Sequence, residues 1–127
     1  MSTPFQRNAG PIVIPTRLWG PCGDTLGRFA LDTGAVCSMV NWDTALLVGY
    51  DPASVTDMVA VTTASGVVRV PRFPVQKMSA LGHERRGLLV LCHALPAGTS
   101  VDGLLGLNFL RGQRLVVDFR TGHVELD

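Results

Sequence analysis

The segment Phe29-Ala30-Leu31-Asp32-Thr33-Gly34-Ala35-Val36 sets one carboxylate between two apolar runs. A carboxylate beside a buried strand is costly unless hydrogen bonds or charge partners hold it. The glycine that follows lets the chain turn sharply and aim amide donors back at the carboxylate oxygens. Taken alone, the D-T-G triplet is equally the end of an ordinary strand. The rest of the chain has to decide between a structural turn and a reactive one.

Upstream of that turn, Pro11 to Leu18 reads as a β-branched, apolar strand, with Pro15 marking an edge or a bulge. Gly20-Pro21-Cys22-Gly23-Asp24 is turn chemistry, and no G-K-[ST] follows it, so it is not a phosphate loop. Leu26 to Leu31 is then a second strand that delivers Asp32. Downstream, Cys37 to Val40 runs back as a short strand. Asn41 caps a helix over Trp42 to Val48, and Gly49 stops it. Val59, Val61 and Thr63 share one face, and Val68 and Val70 share another after Ala64-Ser65-Gly66. That pattern predicts a hairpin whose tip is the Ala-Ser-Gly turn.

Phe73 and Val75 continue the period of two. Gly82 to Gly87 reads as a polar turn, Leu88 to Cys92 as a buried central strand, and Pro96 to Ser100 as a loop. From Val101 to Gly112 the first half reads as strand and the second as a short helix opening near Gly106. Arg114 to Phe119 and His123 to Leu126 form a last hairpin around Arg120-Thr121-Gly122. Short strands, Gly/Pro turns and one or two short helices predict a mostly β domain with a closed or sandwiched sheet. Residues 1–10 read as an N-terminal arm and 11–127 as the domain.

At 127 residues there is room for one core and one lobe. Charged residues make up 17% and hydrophobic residues 46%, which places the chain among ordinary globular domains. A net charge of +1, with no basic run beyond Arg85-Arg86, gives no basic surface for nucleic acid. No apolar run is long enough to span a bilayer. The first residues lack the basic and then apolar regions of a signal peptide, so the expected location is cytoplasmic if this is the full chain. Cys22, Cys37 and Cys92 are odd in number and not in paired spacing, which argues for reduced thiols rather than disulfides. Cys92-His93 with Cys22 and Cys37 has no metal-ligand spacing, and no metal or cofactor is expected.

The order Leu31-Asp32-Thr33-Gly34-Ala35, then the hairpin, then Asp102-Gly103-Leu104-Leu105-Gly106-Leu107 resembles the retropepsin family of aspartic proteases. These are single-lobed relatives of the pepsins, and the resemblance runs from about Ile12 to Leu126. It implies a single-lobe acid-protease barrel that works as a homodimer on an extended, mainly apolar peptide. Asp32, Thr33 and Gly34 would be the catalytic triplet, with Thr33 bonding across the dimer axis and Gly34 offering its amide to the carboxylate. Ala35 and the flap tip Ala64, Ser65 and Gly66 would bind substrate. Leu104, Leu105 and Gly106 would support the catalytic loop from beneath.

If the chain is a protease, a dimer follows from the chemistry alone. Acid–base hydrolysis of a peptide needs one carboxyl to take a proton from water and another to give one to the carbonyl. The chain carries D-T-G once and no D-S-G, while Asp24-Thr25 leads to Leu26 and Asp43-Thr44 to Ala45. One chain therefore supplies half a site, and a two-fold axis would supply the rest. Such a pair shares a proton, so activity is expected to favour acidic to mildly acidic pH.

Two positions depart from the retroviral pattern. An acidic residue usually follows D-T-G-A, and an Arg follows the later Gly, and the two pair near the dimer interface. Here they are Val36 and Leu107, so both charges are missing together and neither is left unpaired. The chain therefore looks like a cellular or bacterial-type member. Two other readings stand beside the protease: a homodimeric module on the same fold that binds peptides without cutting them, and a monomeric structural domain with a coincidental D-T-G.

Overall fold

The computed structural model describes residues 2–95 and 100–127, so all of the predicted Pro96–Ser100 loop except Ser100 lies outside the described residues. Among the described residues there are twelve strands, two short α-helices and one 3-10 turn, Pro52–Ser54. The strands are β1 Ser2–Pro4, β2 Val13–Gly20, β3 Gly23–Leu31, β4 Ser38–Val40, β5 Met58–Thr63 and β6 Gly66–Pro74. After them come β7 Lys77–Ala80, β8 His83–Arg86, β9 Leu89–Cys92, β10 Gly103–Leu105, β11 Leu115–Asp118 and β12 His123–Leu126. The helices are α1 Trp42–Leu47 and α2 Leu107–Leu110.

Nine strands make one curled sheet in the order β5-β6-β9-β4-β10-β3-β2-β7-β8, a half-barrel around the core. The other three form a small sheet, β1-β12-β11. The mostly β, single-lobed architecture is the expected one. The core is built from the inward residues of alternating strands: Ile14 and Leu18 of β2, Phe29 of β3, Met78 of β7, Val90 and Cys92 of β9, and Leu105 of β10. Val124 and Leu126 of β12 join it, so the small sheet is fastened to the large one by apolar burial.

Most predicted elements appear within two or three residues of their predicted bounds. β7 pairs with β2 only at Arg17, Leu18 and Trp19, so Pro15 sits where that side of β2 has no partner and no amide hydrogen is needed. Asn41 caps α1 as predicted, its side-chain oxygen accepting from the Thr44 amide at 2.8 Å.

Four elements differ from the sequence expectation, two of them, strand β7 Lys77–Ala80 and the 3-10 turn Pro52–Ser54, having no predicted counterpart. His83–Arg86, predicted as part of a polar turn, is strand β8, and the turn is confined to Leu81-Gly82. Its polar residues are tolerated because β8 is an edge strand, paired among the described residues only with β7. Ser2–Pro4, predicted as part of an arm, is a strand that pairs with β12 in the register Ser2↔Glu125, Thr3↔Val124, Pro4↔His123. No local pattern announces it, because its partner lies at the other end of the chain.

Candidate active site

Asp32 leaves the end of β3 at a crossing of three strands. β10 lies between β3, which it parallels with Leu104↔Ala30 and Leu105↔Leu31, and β4, which it opposes with Leu104↔Met39. The chain therefore departs along β3, turns through residues 32–37 around the end of β10, and returns on β4. Main-chain bonds fix the start of that loop: the Leu31 amide donates to the Ile12 carbonyl at 2.8 Å, and the Asp32 amide donates to the Leu105 carbonyl at 2.9 Å.

The carboxylate is held from within the loop. Its Oδ1 accepts from the Gly34 amide at 2.9 Å, and the Ala35 amide closes the turn onto the Asp32 carbonyl at 3.2 Å. Asp32 is half-buried while Thr33 and Gly34 are exposed, so the loop presents its carboxyl at the surface of the lobe.

Helix α2 seats the loop from the other side. Its first amides, Leu107 and Asn108, donate to the carbonyls of Ala35 and Val36 at 2.8 and 3.2 Å. Two donors that a helix start leaves without partners thus satisfy two loop carbonyls. Gly106 is the point of closest approach. A Cβ there would lie 2.7 Å from the Ala35 carbonyl oxygen and 2.8 Å from the Cys37 carbonyl carbon, and both are backbone atoms that cannot swing aside. Leu105 beneath it is fully buried, and Leu104 is half-buried.

The predicted flap tip is a tight turn between β5 and β6. Thr63 and Gly66 close the ladder, with Ala64 and Ser65 as the exposed two-residue loop. The Thr63 hydroxyl donates to the Gly66 carbonyl at 2.9 Å and accepts from the Ser65 amide at 3.2 Å. In the sheet order β9, β4 and β10 stand between this hairpin and β3.

Sequence reasoning passed over Ser38 and Asn108. Ser38 is fully buried, its hydroxyl accepting from the Gly106 amide at 2.9 Å and donating to Asn108 Oδ1 at 2.8 Å. Asn108 Oδ1 also accepts from the Ser38 amide at 2.8 Å, and its Nδ2 donates to the Leu89 carbonyl at 2.7 Å. The available signal was a polar residue at the start of an otherwise apolar strand and another within a short apolar helix. Cys37 Sγ donates to the same Leu89 carbonyl at 3.2 Å. Burial pushes the Cys37 thiol up, and the Arg72 guanidinium and the Leu91 backbone only partly oppose it, so this sulfur is held as a neutral thiol.

Val36 stands 72% exposed beside the loop, an apolar side chain where a retroviral relative would carry a charge. A concavity of about 690 Å³ lies elsewhere, between the N-terminal segment and the outer face of β2 and β3, and Asp32 does not line it. Among the described residues, no group of three or more His, Cys, Asp or Glu side chains is arranged to hold a metal, and no helix is long and apolar enough to cross a membrane.

The chain thus presents a carboxylate on a glycine turn, seated by an apolar-apolar-Gly strand end, in a single mostly β lobe. The family model for aspartyl proteases matches residues 20–109, and the chain belongs to that family. Its fold is similar to the crystal structure of a retropepsin-like aspartic protease from Rickettsia conorii, with a TM-score of 0.75 and 17% identity. That match covers 99% of this chain and 88% of the other. No curated protein sequence matches the chain.

Proposed function

We propose that this chain is an aspartic endopeptidase, active as a homodimer, in which Asp32 of each protomer contributes one carboxyl to a shared site. The observation that carries this reading is the Asp32 turn itself. Its carboxylate accepts the Gly34 amide at 2.9 Å on a half-exposed loop, and the surrounding hydrogen bonds fix it from below. A single chain holds only one such turn. Two carboxyls brought into contact cannot both ionise, so one stays protonated and can donate to the scissile carbonyl while the other takes a proton from the attacking water. No covalent intermediate forms.

The remaining roles are those the family resemblance implies. Thr33, exposed beside Asp32, would bond to its twin across the axis. The backbone around Gly34 and Ala35 would pair with an extended peptide as an added strand, and the Ala64-Ser65-Gly66 tip would close over it. Val36 and Leu107 would meet the partner through apolar contact in place of an ion pair.

The test is cleavage of a mixed peptide library at about pH 4–6 by the parent chain and by Asp32→Asn, with sedimentation to fix the oligomeric state. Loss of general acid–base chemistry is expected to lower cleavage by at least about 10²–10⁴-fold while the dimer persists. Equal cleavage by both would refute the mechanism. A dimer in which neither form cuts would favour a peptide-binding module, and a monomer would remove the shared site.

A further inference from the structure

Behind the catalytic loop lies a one-way chain of hydrogen bonds. The Gly106 amide donates to Ser38 Oγ, the Ser38 hydroxyl donates to Asn108 Oδ1, and Asn108 Nδ2 donates to the Leu89 carbonyl, at 2.9, 2.8 and 2.7 Å. The Ser38 amide adds a second donor to Asn108 Oδ1 at 2.8 Å, and Asn108 Nδ2 also touches Cys37 Sγ at 3.7 Å. Every link has a fixed direction: an amide hydrogen can only donate and a carbonyl can only accept.

The chain joins four pieces that the sequence keeps far apart. Ser38 begins β4, directly after the 32–37 loop; Gly106 ends β10 beneath that loop; Asn108 lies in α2; and Leu89 begins β9. Leu89 pairs with Pro74, so β9 lies against β6, the strand that carries the flap tip at its other end. The same helix gives its Leu107 and Asn108 amides to Ala35 and Val36. Ser38 is completely buried, so water cannot replace a lost partner there.

We propose that Ser38 and Asn108 are positioning residues: they set the Asp32 loop against the Gly106 turn and tie both to β9, the neighbour of the strand that carries the flap tip. Neither touches substrate. As a role in cleavage this rests on the endopeptidase reading; as a statement about loop geometry it does not.

The experiment uses the intact chain and four variants, Ser38→Ala, Ser38→Thr, Asn108→Asp and Tyr50→Phe. Asp at position 108 can still accept both Ser38 donors but has no hydrogen for the Leu89 carbonyl. Tyr50→Phe removes the hydroxyl that links Trp19 and Gln76, away from the loop, and serves as a control for general destabilisation. Amide exchange is read at Gly34, Gly106 and along β9, together with kcat, KM and the unfolding temperature.

Ser38→Ala is expected to speed exchange at Gly106 and Gly34 by at least about tenfold and to lower kcat by about 10²-fold, since displacing a reacting group by roughly an ångström costs that much. KM should stay within a few-fold, and Ser38→Thr should restore kcat. Asn108→Asp is expected to speed exchange in β9 more than at Gly106. Unchanged exchange at Gly34 and Gly106 in Ser38→Ala would overturn the proposal even with an active parent. So would a kcat loss that Tyr50→Phe reproduces at equal unfolding temperature. If the parent cuts nothing, the exchange pattern still decides the positioning claim, and the endopeptidase reading fails separately.

Discussion

The 32–37 loop and the 58–74 hairpin are both short connections between strands, yet they are held in opposite ways. The loop is bound by other elements, β10 through Leu105 and α2 through two amides, and its flanking residues Leu31 and Ser38 are tied to Ile12 and Asn108. The hairpin is bound mainly to itself. Among the described residues β5 is the free end of the sheet and pairs only with β6, and outside that ladder the tip is fixed by one threonine hydroxyl. A reacting carboxyl has to be placed before substrate arrives, whereas a cover has to open and close. The proposed function gives both roles to one sheet, whose centre is crossed by several strands while its edge is a two-stranded ribbon.

The contrast can be broken most severely at Gly106. In Gly106→Ala the new Cβ meets the Ala35 carbonyl oxygen at 2.7 Å, so the loop must lift off its seat. We expect a loss of about 1–3 kcal/mol in chemical denaturation, as for other overpacked cores, together with a loss of cleavage out of proportion to that destabilisation. Retained activity with lowered stability would mean that the seat and the carboxyl are independent.

At the hairpin the expected effect is smaller and of another kind. Thr63→Val keeps the shape but removes both tip hydrogen bonds. KM should rise about two- to tenfold, the equivalent of one hydrogen bond of about 0.5–1.5 kcal/mol, with the unfolding temperature nearly unchanged. A fall in kcat at constant KM would instead place the tip in the chemistry.

Away from both regions, thiol chemistry sharpens the picture. Burial pushes the Cys92 thiol up to about 11, so near neutral pH it stays protonated as well as inaccessible. A thiol reagent at pH 8 should label exposed Cys22 first and Cys92 only as the core opens. Labelling of Cys92 at the rate of Cys22 would mean that β9 opens without global unfolding.

The smallest effect belongs to the last hairpin. The Thr121 and Arg120 amides hold the Asp118 carboxyl below its ordinary value. A depressed folded-state value means that its contribution to stability is present above the ordinary carboxylate range, and is lost as pH falls through the folded value. Asp118→Asn should therefore differ slightly from the parent in unfolding temperature at neutral pH and converge with it in strong acid. A gap that widens on acidification would reverse the sign.

The Asp32 turn, the Asn41 cap, the hairpin with its Ala64-Ser65 tip and the Leu104-Leu105-Gly106 segment were legible because each is a local pattern: a turn glycine, a capping side chain, an alternation, an apolar run ending in glycine. β8 was missed because edge strands can be polar throughout. Ser38 and Asn108 were missed because their importance lies in a contact seventy positions apart along the chain, between residues with nothing unusual around them.

The sequence by itself determined that this is a single mostly β lobe with one aspartate in a D-T-G turn, since periodicity, turn chemistry and the count of D-T-G triplets are all written locally. Only the tertiary structure decided how that aspartate is held. The threading of β10 between β3 and β4, the helix start that caps the loop and the Ser38–Asn108 link are all long-range pairings, and a hydrogen bond between distant residues leaves no mark on the neighbours of either one.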